Sequence, residues 1–227
     1  MPSYRFYTPH LQDSIHLKEE EHHHLSRVMR VGEGEMVELI DGKGSLAQAR
    51  VVKIQKSETH LTLETVEHFP APLLQIHLAI PLMRPSKLEW IIEKGTELGA
   101  DHFLFYLADR SEKTGNIVQH LDRMRTITIA ATKQSGRLYL PGFDIVDSLQ
   151  DALKTEMTIL YGDTDPQAPW IEPSKEPTLF VSGPEAGFSD AEKAFLKERT
   201  KGIKLSENIL RAETAPIVAL TILKLSS

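Results

Sequence analysis

From Ile76 onward short apolar runs alternate with stretches of helical periodicity, and a chain of that texture has few folds open to it. I-H-L-A-I (76–80), H-F-L-F-Y-L (102–107), F-D-I-V (143–146), M-T-I-L-Y (157–161) and T-L-F-V-S (178–182) are strand-like. Residues 85–99, P-S-K-L-E-W-I-I-E-K-G-T-E-L-G, predict a helix with Leu88, Ile91, Ile92, Gly95 and Leu98 on one face. Ser86 and Glu89 have capping-box spacing, and Gly99 stops the helix. Further helices are expected around 116–134, near 147–154 and over about 211–225. Alternating strands and helices imply a mostly parallel sheet covered on both faces, with any ligand site at the carboxyl ends of its strands.

The first seventy residues differ. M-V-E-L-I, A-R-V-V-K-I and H-L-T-L-E-T-V are short strands, with the hairpin signal Asp41-Gly42 after the first. With Tyr4–Tyr7 they suggest a small β-barrel, interrupted by one helix over 18–31. F-P-A-P-L (69–73) reads as a linker. The expected division is therefore 1–70 and 74–227, which suits a chain of 227 residues.

Several functions are closed. Without cysteine there is no disulfide or thiolate chemistry. G-x-x-x-x-G-K-[ST] is missing, so a P-loop hydrolase is not expected. G-K-G-S-L-A (42–47) fits the dinucleotide template, but strand-like alternation follows it, so it is read as a hairpin turn. His22, His23 and His24 point in different directions on a helix and are read as an exposed, partly titrating surface rather than a metal site. No metal is expected. An N-terminus without an apolar core and a chain without a membrane-length apolar run point to the cytoplasm and to no membrane partner. The net charge of -6 argues against non-specific nucleic-acid binding, so an RNA partner has to rest on local patches. Over 113–137, Lys113, Arg123, Arg125, Lys133 and Arg137 stand against Asp122 alone, a local +4. The plainer alternative for that stretch is a solvated helix face.

Two loops carry the chemistry. G-P-E-A-G-F-S (183–189) follows a strand and precedes a helix whose Ser189 and Glu192 form a capping box. A glycine-bounded loop there usually cradles phosphate, yet this one has no lysine and centres on Glu185. L-S-E-N-I-L-R-A-E-T-A (205–215) places Arg211 and Glu213 at the mouth of an apolar helix, where unpaired charge is costly. A structural ion pair is the plainer alternative for these two. Backbone amides, small residues and carboxylates suit a ligand with an adenosine, a cationic centre and a zwitterionic tail, as in S-adenosylmethionine.

At these residues the chain resembles the uridine-N3 methyltransferases of 16S ribosomal RNA in the trefoil-knotted SPOUT superfamily. The family's G-P-E-G-G-F-S stands as Gly183 to Ser189, with Ala186 for its second glycine, and its L-G-x-R-I-L-R-x-E-T-A as Leu205 to Ala215, with Ser206 and Asn208 replacing glycine and arginine. K-x-x-E-L-G runs Lys94 to Gly99, R-S is Arg110-Ser111, and Q-S-x-R is Gln134 to Arg137 after Lys133, where an acidic residue is common. R-F is Arg5-Phe6 and H-L-x-x-V-x-R runs His24 to Arg30.

The resemblance implies an α/β fold: a C-terminal trefoil-knotted SPOUT methyltransferase domain after an N-terminal PUA-like β-barrel that holds RNA. It also implies a homodimer acting on 16S ribosomal RNA or the small ribosomal subunit. The implied cofactor, S-adenosylmethionine, would be held by Gly183, Pro184, Glu185, Ala186 and Gly187 and by Leu205, Ser206, Ile209, Leu210, Arg211, Thr214 and Ala215. Methyl transfer to uracil N3 needs alignment and either a base for the N3 proton or a cation beside the uracil anion. Arg211 is the expected cation, with Glu185 or Glu213 orienting it or taking the proton. Arg5, Arg27, Arg30, Arg110, Arg123, Arg125 and Arg137 are the expected RNA contacts. Two rivals remain: a SPOUT enzyme acting on another RNA base, and a catalytically impaired RNA-binding or ribosome-assembly module, which the glycine replacements favour.

Overall fold

The structure, a computed structural model, describes residues 4–111 and 120–225. It separates into two compact units, one running to Ala71 and including Thr132–Leu140, the other comprising Pro72–Ala131 and Pro141 onward.

The larger unit is built on six strands: β6 (Ile76–Pro81), β7 (His102–Tyr106), β8 (Gly142–Val146), β9 (Thr158–Gly162), β10 (Thr178–Val181) and β11 (Lys201–Ile203). Their order is β11-β9-β10-β6-β7-β8, and every pairing is parallel. Parallel strands buried on two faces need apolar residues at successive positions, and all four residues of β10 are buried. Ile76, Leu78, Ile80, Phe103, Phe105 and Phe180 face one core, shared with Leu88, Ile91 and Ile92 of α2 (Pro85–Glu97) and Ala219, Leu220 and Leu223 of α6 (Thr214–Leu223). Ala79, Tyr106, Leu179 and Val181 face a second core with Leu149 and Ala152 of α4 (Leu149–Ala152) and Leu196 of α5 (Asp190–Arg199). The short strand β11 lies beyond the pattern of apolar runs that marks the others.

Helix boundaries follow local chemistry. Pro85 is the first residue of α2 and Arg84 its N-cap, so Ser86 lies inside the first turn and the expected Ser86–Glu89 box does not form. Proline with its fixed φ and missing N–H suits that first position. Gly99 closes the helix at φ +95°. The Ser189–Glu192 box caps α5 as expected, each residue's side chain bonding the other's backbone N–H. The expected helix around 116–134 is α3 (Leu121–Ser135); its earlier part, like Lys113, lies outside the described residues.

The smaller unit is a curled five-stranded sheet of order β1-β3-β4-β5-β2, from β1 (Arg5–Tyr7), β2 (Ser14–Lys18), β3 (Met36–Ile40), β4 (Ser45–Ile54) and β5 (Glu58–His68). Register shifts at Gln48/Ala49 and Val51/Lys53 bend the β4–β5 ribbon over a core of Phe6, Leu25, Val37, Leu39, Ala49 and Leu61. The helix expected over 18–31 is shorter. S-I-H-L-K alternates exposed and buried and forms β2; α1 (Glu19–His23) and a π-turn over His24–Val28 follow. The histidines are correspondingly not one exposed surface. His22 is buried with Nδ1 2.8 Å from Thr59 Oγ1, His24 packs edge-on against Phe6, and His23 faces solvent. Burial of this short element against β5 turns those faces inward.

Asp41 shapes the β3–β4 turn, its carboxylate accepting from the Lys43 and Ser45 amides. Gly44 takes φ +99°, and a methyl there would collide with the Tyr139 hydroxyl and stand 2.6 Å from the Phe69 carbonyl oxygen. Gly44→Ala is therefore expected to destabilise the protein by about 2 kcal/mol. Chemical denaturation of the two proteins measures it, and a difference below about 0.5 kcal/mol contradicts the assignment.

Candidate active site

Because all six strands of the larger unit are parallel, the segments that follow them gather at one edge of the sheet. Val181 pairs with both Ala79 and Tyr161, so the segment after β10 emerges between those after β6 and β9. Both loops singled out in the sequence leave this edge: residues 182–189 after β10, and 204–213 after β11.

The first loop is braced from below and from both sides. Buried Tyr106 donates its hydroxyl to the Ser182 carbonyl at 2.7 Å, and burial pushes that phenol's pKa well above the usual range. Pro184 O accepts from the Gly187 amide at 2.8 Å, closing a turn with Gly187 at φ +72°. The left-handed conformation falls on Gly187, while Ala186 has ordinary backbone, so its methyl adds no strain. Gly183 is required for another reason: a Cβ there would press on the buried Phe188 ring at 3.0–3.2 Å. Glu192, 1% exposed, accepts from the Ser189 amide at 2.8 Å and the Asp109 amide at 3.1 Å, tying the segment after β7 to the start of α5.

The second loop is more open. Leu205 packs toward the core, whereas Ile209 is 87% exposed. Arg211 O accepts from the Thr214 and Ala215 amides and starts α6. The charges are arranged otherwise than the sequence suggests. Arg211 points to solvent, its side chain 84% exposed and 4.0 Å from Glu213, so it bears no burial cost. Glu213 is the enclosed member, and its cation is Lys87 in the first turn of α2, which also pairs with Glu185. Lys87 Nζ lies 3.3 Å from Glu213 Oε2. One ammonium thus joins the two loops.

The pKa shifts agree. Burial acts to raise the Glu213 pKa, but its own backbone amide, the Lys87 hydrogen bond and the Lys87 and Arg211 charges hold it below the ordinary glutamate value. The Lys87 pKa is raised, first by its hydrogen bond to Glu185. A depressed acid and a raised base keep Glu213 and Lys87 charged across neutral pH; the contribution of this pair is lost as pH falls through the Glu213 value or rises through that of Lys87. Sequence reading missed Lys87 because it lies ninety-eight residues from Glu185. The signal that could have found it is its place one turn into the helix that follows β6, at the same carboxyl edge.

The expected RNA-contacting arginines divide. Arg27, Arg30, Arg123 and Arg125 are exposed, and Arg137 is partly so. Arg30 holds φ +54°, an unusual backbone for a non-glycine residue. Arg5 is turned inward, its side chain 11% exposed, with Nε and Nη2 on Glu38 at 2.9 and 2.7 Å. Arg110 donates to the Phe188 and Ala186 carbonyls at 3.2 and 3.4 Å and so braces the first loop. Lys133 is bound to Glu21 at 2.5 Å, which removes one positive charge from the expected +4 stretch. Arg123 meets Glu89 only at 3.6 Å.

Lys87→Met removes the cation while Glu213 stays enclosed. Two of the causes that lower the Glu213 pKa are then gone while burial remains, so that pKa is expected to rise. Carboxyl-detected NMR titration reads this directly; an unmoved value would show that Lys87 does not hold the carboxylate.

Known proteins share both the sequence pattern and the fold. A family described as an RNA methyltransferase domain matches residues 70–224, and one described as an RNA methyltransferase PUA domain matches residues 17–64. The chain is 33% identical to Ribosomal RNA small subunit methyltransferase E of Bacillus subtilis (strain 168), over 89% of this chain and 86% of that protein. Ribosomal RNA small subunit methyltransferase E of Neisseria gonorrhoeae, bound to S-adenosyl methionine, superposes with a TM-score of 0.85 at 26% identity over 96% and 95% of the two chains. A methyltransferase from Legionella pneumophila with bound cofactor SAM shares the fold with a TM-score of 0.89 at 24% identity, over 98% and 97% of the chains. No helix among the described residues is long and apolar enough to cross a membrane.

Proposed function

The chain belongs to the RNA methyltransferase family, with that family's PUA domain at its N-terminus, and we propose that it methylates N3 of a uridine in 16S ribosomal RNA from S-adenosylmethionine. The observation that carries this reading is the pairing of the two loops through Lys87, which puts Glu185, Glu213 and Arg211 at one carboxyl edge. The N. gonorrhoeae relative is bound to S-adenosyl methionine, and the B. subtilis relative carries the name of a small-subunit ribosomal RNA methyltransferase.

The residues present fit the cofactor. The backbone of residues 183–187, with the amides of Gly183, Glu185 and Ala186, the apolar Leu205, Ile209 and Leu210, and the segment Arg211 to Ala215 would hold it, with Ser206 beside them. Exposed Ile209 offers an apolar surface for a planar base, and Glu185 and Glu213 offer negative charge to a sulfonium. When bound, the cofactor supplies a methyl group already activated by the positive sulfur. The chain's own residues do the rest. Glu213, kept anionic by Lys87, orients Arg211; the solvent-exposed end of Arg211 meets the uracil and holds the negative charge that develops on its carbonyl oxygens. Glu185, the more exposed carboxylate, takes the N3 proton. N3 lies on the Watson–Crick edge, so the uridine has to leave any pairing. Ala186, with ordinary backbone, gives no support to an impaired module.

On this reading Arg27, Arg30, Arg123, Arg125 and Arg137 contact the RNA backbone, while Arg5 and Arg110 position protein segments. The trefoil knot, the homodimer and the cytoplasmic setting that the resemblance implies belong to the same proposal.

Labelled methyl transfer onto unmodified small subunits, with mass-spectrometric mapping of the product nucleoside, tests the reading; N3-methyluridine is the expected product, and methylation of another base overturns it. Arg211→Ala is expected to lower transfer about 100-fold or more with the fold retained. Near-normal turnover would make Arg211 structural.

Arg123→Glu with Arg125→Glu is expected to weaken binding of an RNA hairpin. The plot of log affinity against log salt should flatten by about one unit for each phosphate that is no longer neutralised. Cofactor affinity should stay unchanged, since neither residue lies in the two loops. Fluorescence anisotropy across a salt series reads both quantities.

A further inference from the structure

The outer face of the five-stranded sheet carries a group of ligating side chains remote in sequence from both loops. His16 on β2 and His60 on β5 are directly opposed in the antiparallel pair, and Glu58, two residues before His60, shares their face. The alternate residues Ile15, Leu17, Thr59 and Leu61 are buried, so the register that fills the core also sets these three side chains outward. His16 lies more than forty residues before the other two, which is why no spacing motif announces them.

Their geometry is close. One donor atom from each of the three lies within 4.8 Å of the others, the one such group among the described residues. His60 Nε2 is 2.8 Å and His16 Nδ1 3.5 Å from the two oxygens of Glu58, and the imidazole rings are 4.1 Å apart between centroids. Lys18 Nζ, 3.7 Å from Glu58 Oε2, is the competing cation, on a side chain 66% exposed and free to swing aside. Two imidazoles and a carboxylate are the donor set of many three-ligand zinc sites, with a water completing the tetrahedron. Imidazole also favours zinc over magnesium or calcium, which take oxygen.

We propose that His16, Glu58 and His60 form a three-ligand site for a divalent zinc ion on the outer face of the N-terminal sheet. The ion bridges β2, the last strand in the sheet, to its neighbour β5, and so fastens an edge that otherwise ends in unpaired backbone. β2 runs directly into α1 and the π-turn that precede Arg30, so the clip steadies the segment that presents Arg27 and Arg30. A domain of this size has a small core, and a metal cross-link is a common supplement to one. The site takes no part in methyl transfer.

The full-length protein, stripped with chelator, is titrated with Zn2+ by calorimetry and with Co2+ by visible absorption. One saturable equivalent is expected, with the strong visible bands of a four-coordinate cobalt site. His16→Ala and His60→Ala, both at surface positions, should each weaken zinc binding at least tenfold, and Glu58→Gln should weaken it too. Zinc should raise the thermal midpoint of the wild type and leave that of His60→Ala unchanged. Absence of saturable uptake overturns the proposal. So does uptake that survives in both histidine variants, which would assign it to other histidines of the chain.

Discussion

Everything at the site depends on the parallel register of β10 between β9 and β6. With Val181 opposite both Ala79 and Tyr161, the chain has to leave the sheet at Ser182 in the same direction as its neighbours leave. Four buried residues in a row hold that strand in place, and a slip of one position would exchange the residues of the two cores. The loops are thus aimed by burial of side chains that touch no ligand. Tyr106 and Glu192 extend the constraint outward, one bonding the Ser182 carbonyl and the other gripping the amides of Ser189 and Asp109.

The second determinant is electrostatic. Glu185 and Glu213 come from separate loops, and like charges brought together repel. Lys87 offsets that repulsion and makes the pair a unit. It also frees Arg211, which is not needed as the internal counter-ion and stays in solvent. The one cation is fixed, the other available, and this division separates a structural charge from one that can meet a substrate.

Strand and helix positions of the larger unit were legible because its strands are apolar runs and α2 has one apolar face. β11 was not, since K-G-I is too short to show a pattern and is recruited only by its neighbour β9. The capping boxes show the limit of local motifs: Ser189–Glu192 forms, whereas Ser86–Glu89 gives way because Pro85 already takes the first helical position. In the smaller unit β2 (S-I-H-L-K) went unread, since its short alternation ends at Lys18, where the charged and histidine run that reads as helix begins. At the site, the two loops were visible as motifs, but Lys87 was not, because only the fold brings the first turn of α2 to them. Arg5 and Arg110 illustrate the same gap from the other side: nothing local distinguishes an arginine that meets Glu38 or a loop carbonyl from one that meets solvent.

The start of α5 bears on which ligands the edge turns away. A helix N-terminus normally offers free amides and a partial positive charge to phosphate. Here the Ser189 hydroxyl accepts from the Glu192 amide and the Glu192 carboxylate from the Ser189 amide, and the Asp109 carboxylate accepts the Ser189 hydroxyl beside them at 2.5 Å. A phosphate reaching this helix end would meet two amides already engaged and the exposed Asp109 carboxylate beside them. On the proposed reading, the cap makes this helix end a weaker seat for phosphate than an uncapped N-terminus, and an adenosine compound that carries positive charge meets no such barrier.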